Sequence, residues 1–214
     1  MSTNNNSSKL DFEIVLAKFE SSLTDEEDTE LKAYIEGYEE LYKFFTLMGT
    51  IFTFVSKDLV SKMEIMNELM SESPEQFRTV KRMIEHEKNN ELLTKKGYTS
   101  GSRTLLRLHR GLNFIKEFLQ GVSGIDDKEG TATVCRKAYE ETLAEHHTFL
   151  IRNGAKMAMG AMPTREQLLK KIISDDPKDI ENVMQTVPKV LVVLNTVFER
   201  IDSVYTEHSL HELP

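Results

Sequence analysis

The 214-residue chain has one cysteine, Cys135, so no disulfide can form within it. A reducing compartment is the setting this implies. Long hydrophobic runs are also missing. Even the greasiest stretch, residues 187–198, is interrupted by Pro188, Lys189 and Asn195, so no bilayer-spanning helix is read anywhere. Residues 1–9 are rich in Ser and Asn without an apolar core, which argues against a secretory signal. Membrane contact is therefore expected to be peripheral. Positive charge is scarce too, with 27 Lys and Arg against 35 Asp and Glu, a net charge of −8. Nucleic acid is an unsuitable partner for such a surface, because binding it takes a basic face that displaces phosphate counterions. In so acidic a chain, any tight group of cations carries information. Tryptophan is absent altogether.

Hydrophobic residues make up 39% of the chain and charged residues 29%, a balance that supports one substantial core rather than disorder. With only 5 prolines and 10 glycines as punctuation, apolar spacings of three and four dominate, so the fold class is all-α. The spacing predicts a disordered tail over residues 1–9 and a single domain over 10–214. Helices are expected over 10–22, over 30–70 with a break near Gly49, and from Ser73-Pro74 to about 94. Further helices are expected over 102–120 (stopping at Gly121), 131–145 and 148–161. Pro163-Thr164-Arg165-Glu166-Gln167 reads as a capping box, Asp176-Pro177 as another helix start, and 189–207 as the last long helix.

Charged residues interrupt two of these helices in ways that bear on chemistry. Asp58 and Lys62 lie four apart, on the face that carries Ile51, Phe54, Val55, Ile65 and Met66. An ion pair at the edge of an apolar stripe accounts for them; so does a polar site at the mouth of an apolar cavity. Arg103, Arg107 and Arg110 share a narrow arc with Phe114, opposite an apolar arc of Leu105, Leu108, Leu112, Ile115 and Leu119. A solvated basic face explains that pattern. Yet Arg103 and Arg107 fall in the first two turns, where the helix dipole opposes cations and free N–H groups suit a bound phosphate. His146 and His147 fall between helices. No catalytic set emerges: His86-Glu87 begins a zinc-protease-like helix without the second histidine, and Glu-x-x-His occurs nowhere. Cys135 lacks a cysteine partner, and no glycine-rich phosphate loop is present. No enzyme activity, cofactor or metal is expected.

The segments that carry these residues also carry a resemblance. The run Gly49-Thr50-Ile51-Phe52-Thr53-Phe54-Val55-Ser56-Lys57-Asp58-Leu59-Val60-Ser61-Lys62 resembles the glycolipid transfer protein superfamily. So do Arg103-Thr104-Leu105-Leu106-Arg107-Leu108-His109-Arg110-Gly111-Leu112, the segment around Leu143 and His147, and Met162-Pro163-Thr164-Arg165. The C-terminal Tyr205-Thr206-Glu207-His208-Ser209-Leu210 and Leu213-Pro214 are most similar to the branch that carries ceramide 1-phosphate. The resemblance covers nearly the whole chain beyond the tail.

It implies a two-layer helical sandwich of about eight helices around a hydrocarbon pocket, and a carrier rather than an enzyme. Asp58 matches the acid that accepts from the sphingoid amide N–H and hydroxyl. Lys62, Arg103 and Arg107 match cations that hold a phosphate, and His147 matches the donor to the amide carbonyl. Sugar-binding members stack their ligand on a tryptophan, a platform this chain cannot build, so the implied cargo is ceramide 1-phosphate or a related anionic sphingolipid. The family often follows its histidine with Pro-Trp; Thr148-Phe149 stands here. An aromatic is kept, so docking on membranes by Phe149, with Ile151, Arg152 and Lys156, is expected, although Phe lacks the indole N–H that favours the interface. Phe44, Phe45, Ile51, Phe52 and Phe54, with residues of the last helix, are the expected pocket lining. The implied setting is a cytosolic monomer at the cytosolic faces of Golgi, plasma membrane and endosome. A neutral glycosphingolipid carrier and a non-transferring sphingolipid sensor or helical adaptor remain alternatives.

Overall fold

Asp11 accepts hydrogen bonds from the N–H groups of Glu13 and Ile14, and this cap opens α1 (Phe12–Ser22) with Phe12, Val15 and Phe19 buried. The structure, a computed structural model, describes residues 9–25, 27–49 and 52–214, with the side chains of Thr53 and Phe54 left aside. The expected tail thus lies outside the described residues apart from Lys9, whose ammonium donates to the carbonyls of Lys170 and Lys171 at 2.9 and 2.8 Å.

Glu30 caps α2 (Leu31–Leu47), which buries Leu31, Tyr34, Ile35, Tyr38, Leu41 and Phe45. Gly49 at φ +85° supplies the expected break, since that backbone conformation disfavours a residue with a Cβ. Beyond it runs α3 (Thr53–Glu72). The helix expected from Ser73 does not start there. Instead, Leu31 N–H donates to the Arg78 carbonyl and Val80 N–H to the Thr29 carbonyl, each at 3.0 Å. That pairing holds Thr79 extended against Glu30, so α4 (Val80–Asn89) begins at a Thr79 cap and ends short of residue 94. A tertiary contact has overruled a local start signal.

α5 (Gly101–Ser123) runs through Gly121 rather than stopping at it. A Cβ at Gly121 would lie 2.3 Å from Val134 Cγ1, so this glycine serves close packing against α6 (Ala132–Thr142). A 3-10 turn, Ala144–His146, leads to α7 (Phe149–Gly160). The capping box forms as read, with Thr164 and Gln167 bonded reciprocally at the start of α8 (Arg165–Ile172). Asp176 and Pro177 open α9 (Pro177–Glu207), and two expected helices prove to be one. Pro188 is exposed, while Val187, Val190, Leu194, Val197 and Ile201 keep an unbroken buried face at helical spacing. Burying each such side chain stabilises by roughly 1.5–3 kcal/mol, comparable in sum to several times the ~3 kcal/mol that an interior proline costs.

Among the described residues there are nine α-helices and no strand. Helix α1 packs on α2, α2 on α3, α3 on α5, α5 on α9 and α9 back on α1, a closed ring. α5 also packs against α4 and α6. Buried apolar side chains from Leu10 to Leu210 make one continuous cluster inside.

Candidate functional site

The N-terminal end of α5 is organised by a residue of α4. Glu87 is fully buried, and its Oε1 accepts from Gly101 N–H at 2.6 Å and from the Tyr98 hydroxyl at 3.0 Å. Its Oε2 accepts from the Ser100 hydroxyl at 2.7 Å and Ser102 N–H at 3.0 Å. Ser100 Oγ in turn accepts from Arg103 N–H at 3.2 Å. The first N–H groups of α5 are therefore occupied, and the expectation that they stood free for a phosphate is corrected. A carboxylate at this helix end also offsets the unfavourable placement of two arginines there.

Arg103 is half-buried, its Nη2 donating to the Tyr98 carbonyl at 2.9 Å. Its Nε is buried without a hydrogen-bond partner among the described residues. Arg107 is exposed; Nη1 donates to the Arg103 carbonyl at 3.3 Å and Nη2 to the main-chain oxygen of Pro214 at 3.0 Å. Arg110 is half-buried and donates to the His211 carbonyl at 2.5 Å, with the charges of Glu212, Arg107 and Glu145 acting on it. The solvated basic face fails as a description. Phe114 and His109 are buried beside these arginines, and apolar burial extends almost around α5, as in a core helix.

On α3, Lys62 Nζ bonds Asp58 Oδ1 at 2.5 Å. The lysine side chain is only 15% exposed while the aspartate is 55% exposed, so the acid is the more open member of the pair. His147 follows the 3-10 turn, half-buried, with Nδ1 at 2.9 Å from the Tyr139 hydroxyl of α6. Burial holds its pKa below the usual histidine value; His146 and Lys62 act in the same direction and Asp58 opposes them. His147 therefore lies within the fields of both Asp58 and Lys62. Tyr38 ties this group to α5: buried, it feels the Asp58 charge and donates to the Leu108 carbonyl at 3.0 Å. Close approach there requires Gly111, where a Cβ would fall 2.5 Å from the Tyr38 hydroxyl. On the other side, the Arg110 charge acts on His146. Asp58 and Lys62 thus pair on α3, while Arg103 and Arg107 are linked to each other on α5, the helix against which α3 packs.

The opposite end of α5 is wholly different. Phe12, Phe44, Phe118, Leu119, Val122 and Val187 help line an apolar hollow of about 370 Å³, counting space that opens to solvent. A second, of about 310 Å³, shares Phe44, Phe118 and Leu119 and adds Leu10, Leu41, Phe114 and Ile115. At 1.5 Å per residue, Phe118 lies ~16 Å along the helix from Arg107. Of the expected lining, Phe44 faces both hollows and α9 contributes Met184 and Val187. Phe45 and Phe52 instead pack into the core, 6.2 Å apart between ring centroids. Ile51 and the Phe54 side chain lie outside the described residues. The contributions of α1, α5 and α8 were not anticipated.

On α7, Phe149 is 72% exposed, and Leu150, which was not anticipated, is 80% exposed, as is Met157. Arg152 and Lys156 on the same helix are exposed and Ile151 is half-buried. Among the described residues, no helix is long and apolar enough to cross a membrane.

Residues 29–174 match the model of the family described as glycolipid transfer protein. A ceramide-1-phosphate transfer protein of Danio rerio is 36% identical over 205 residues, covering 94% of this chain and 96% of the relative. Among solved structures, the mouse ceramide-1-phosphate transfer protein in its apo form superposes with a TM-score of 0.88 at 33% identity, covering 96% of this chain and all of that one. The human protein in complex with 12:0 ceramide-1-phosphate gives a TM-score of 0.85 at 32% identity, with the same coverage.

Proposed function

The chain belongs to the glycolipid transfer protein family, a family of non-enzymatic carriers, and from that premise we propose that it binds ceramide 1-phosphate and moves it between membranes. What supports this reading is that α3, which carries the Asp58–Lys62 pair, packs against α5, which carries Arg103 and Arg107 in its first two turns, in a chain of net charge −8 without tryptophan. A phosphomonoester bears about −1.5 to −2 charge near neutral pH, and guanidinium forks match its oxygens. Arg103 Nε, which lacks an acceptor, offers one such bond. Asp58, the exposed member of its ion pair, accepts from the sphingoid amide N–H and hydroxyl. Nδ1 of His147 lies 2.9 Å from the Tyr139 hydroxyl; a neutral His147 whose Nδ1 accepts from that hydroxyl would carry its proton on Nε2, the donor an amide carbonyl needs.

The hydrocarbon chains dictate the rest. Each CH₂ in water costs ~0.8 kcal/mol, so a two-chain lipid crossing water unaided faces a barrier of ~20 kcal/mol or more. The hollows around Phe44 and Phe118 are the starting point of a lining that replaces water as chains enter and part the helices. Residues 10–214 act as one lipid-transfer domain. Phe149 and Leu150 enter the membrane surface while Arg152 and Lys156 meet anionic head groups, in a cytosolic monomer serving Golgi, plasma membrane and endosome. Mass spectrometry of lipid co-purified with the protein tests the cargo. Ceramide 1-phosphate is expected; enrichment of a neutral glycosphingolipid would overturn the reading, and a bound lipid without vesicle transfer would make the protein a sensor.

A further inference from the structure

Glu87 forms four hydrogen bonds from inside the protein, and all four end on the segment that delivers Arg103. It reaches the arginine by two routes. Through Ser100, whose hydroxyl donates to Glu87 and accepts from Arg103 N–H, it fixes the main chain. Through Tyr98, whose hydroxyl donates to Glu87 and whose carbonyl accepts from Arg103 Nη2, it fixes the guanidinium. Arg107 follows, because its Nη1 donates to the Arg103 carbonyl. We propose that Glu87 is a positioning residue of the head-group site: it aims the guanidinium groups and withholds the helix N–H donors, so that selectivity for a phosphate rests on the arginine side chains.

The physical reason is electrostatic. An uncapped helix start presents several N–H donors and a partial positive charge, which attract any small anion. A carboxylate in that place cancels the attraction and would repel a phosphate brought against the main chain. The guanidinium groups, further along the helix, keep their charge and their planar donor geometry. Glu87 does not touch the ligand in this arrangement; its effect passes through Tyr98, Ser100 and Arg103.

The inference rests on the proposed head-group reading, and a double-mutant cycle separates the two. Glu87→Gln keeps the shape but removes the charge and leaves one of the Gly101 and Ser102 N–H groups without an acceptor. Tyr98→Phe removes only the hydroxyl link, at a half-buried position where the cap stays intact. Affinity for short-chain ceramide 1-phosphate, with melting temperature in parallel, is measured for both variants alone and combined with Arg103→Leu. The expectation is a loss of about tenfold for Glu87→Gln and about threefold for Tyr98→Phe, each shrinking below about twofold once Arg103 is leucine. A merely structural Glu87 would instead give losses that multiply with that of Arg103→Leu, and this result overturns the inference alone. If Arg103→Leu binds as tightly as the parent protein, the head-group reading itself fails and takes the inference with it. Should Glu87→Gln not fold, the Tyr98→Phe cycle decides by the same criterion.

Discussion

At its N-terminal end α5 is tied by hydrogen bonds that fix single geometries, from Glu87 to the helix start and from Arg103 to the Tyr98 carbonyl. At its other end the same helix presents Phe118 and Leu119 to hollows lined almost wholly by carbon. Directional bonds need one arrangement and reward it; apolar contact is non-directional and tolerates several. In the proposed reading, a head group of fixed shape belongs at the first end, and chains of varied length belong at the second. One helix spans both tasks.

Substitutions can break this contrast at either end. The largest effect is expected from Phe118→Ala, since Phe118 packs 5.6 Å from Phe44 and 6.1 Å from Phe114 between centroids. Thermal or urea unfolding should show a loss of ~3 kcal/mol, the low end for Phe→Ala because hollows already border the ring. Affinity for a short-chain ligand should survive. The reverse pattern is expected for Arg107→Leu: unfolding unchanged, and transfer of ceramide 1-phosphate reduced roughly 10- to 150-fold, the equivalent of ~1.5–3 kcal/mol for one charge-assisted contact. If each substitution damaged stability and head-group affinity equally, the division of labour along α5 would be wrong.

Features set by neighbours in the chain were legible in the sequence. The Gly49 break, the Thr164–Gln167 box and the Asp176-Pro177 start each depend on a few adjacent residues, and each formed as read. Ser73-Pro74 misled because a backbone pairing between residues 29–31 and 78–80 delays α4, and Pro188 misled because a buried face carries α9 past it. Of the proposed site residues, Asp58 and Lys62 stood out as charges set into an apolar stripe, and Arg103 and Arg107 as cations in the first two turns of a helix. Tyr139, Tyr38 and Glu87 did not, because their importance comes from what they meet across the fold. Glu87 in particular sat in a stretch that reads as a failed zinc helix, although its real partners lie beyond the end of its own helix. A buried carboxylate facing a helix start has no local signature.

The proposed charge-selective head-group site is tested most directly by the rate at which the protein moves labelled lipids between vesicles, with ceramide 1-phosphate and galactosylceramide compared side by side. Transfer of the phosphate-bearing lipid should far exceed that of the sugar-bearing one. Equal rates for the two would contradict a site in which Lys62, Arg103 and Arg107 choose the cargo.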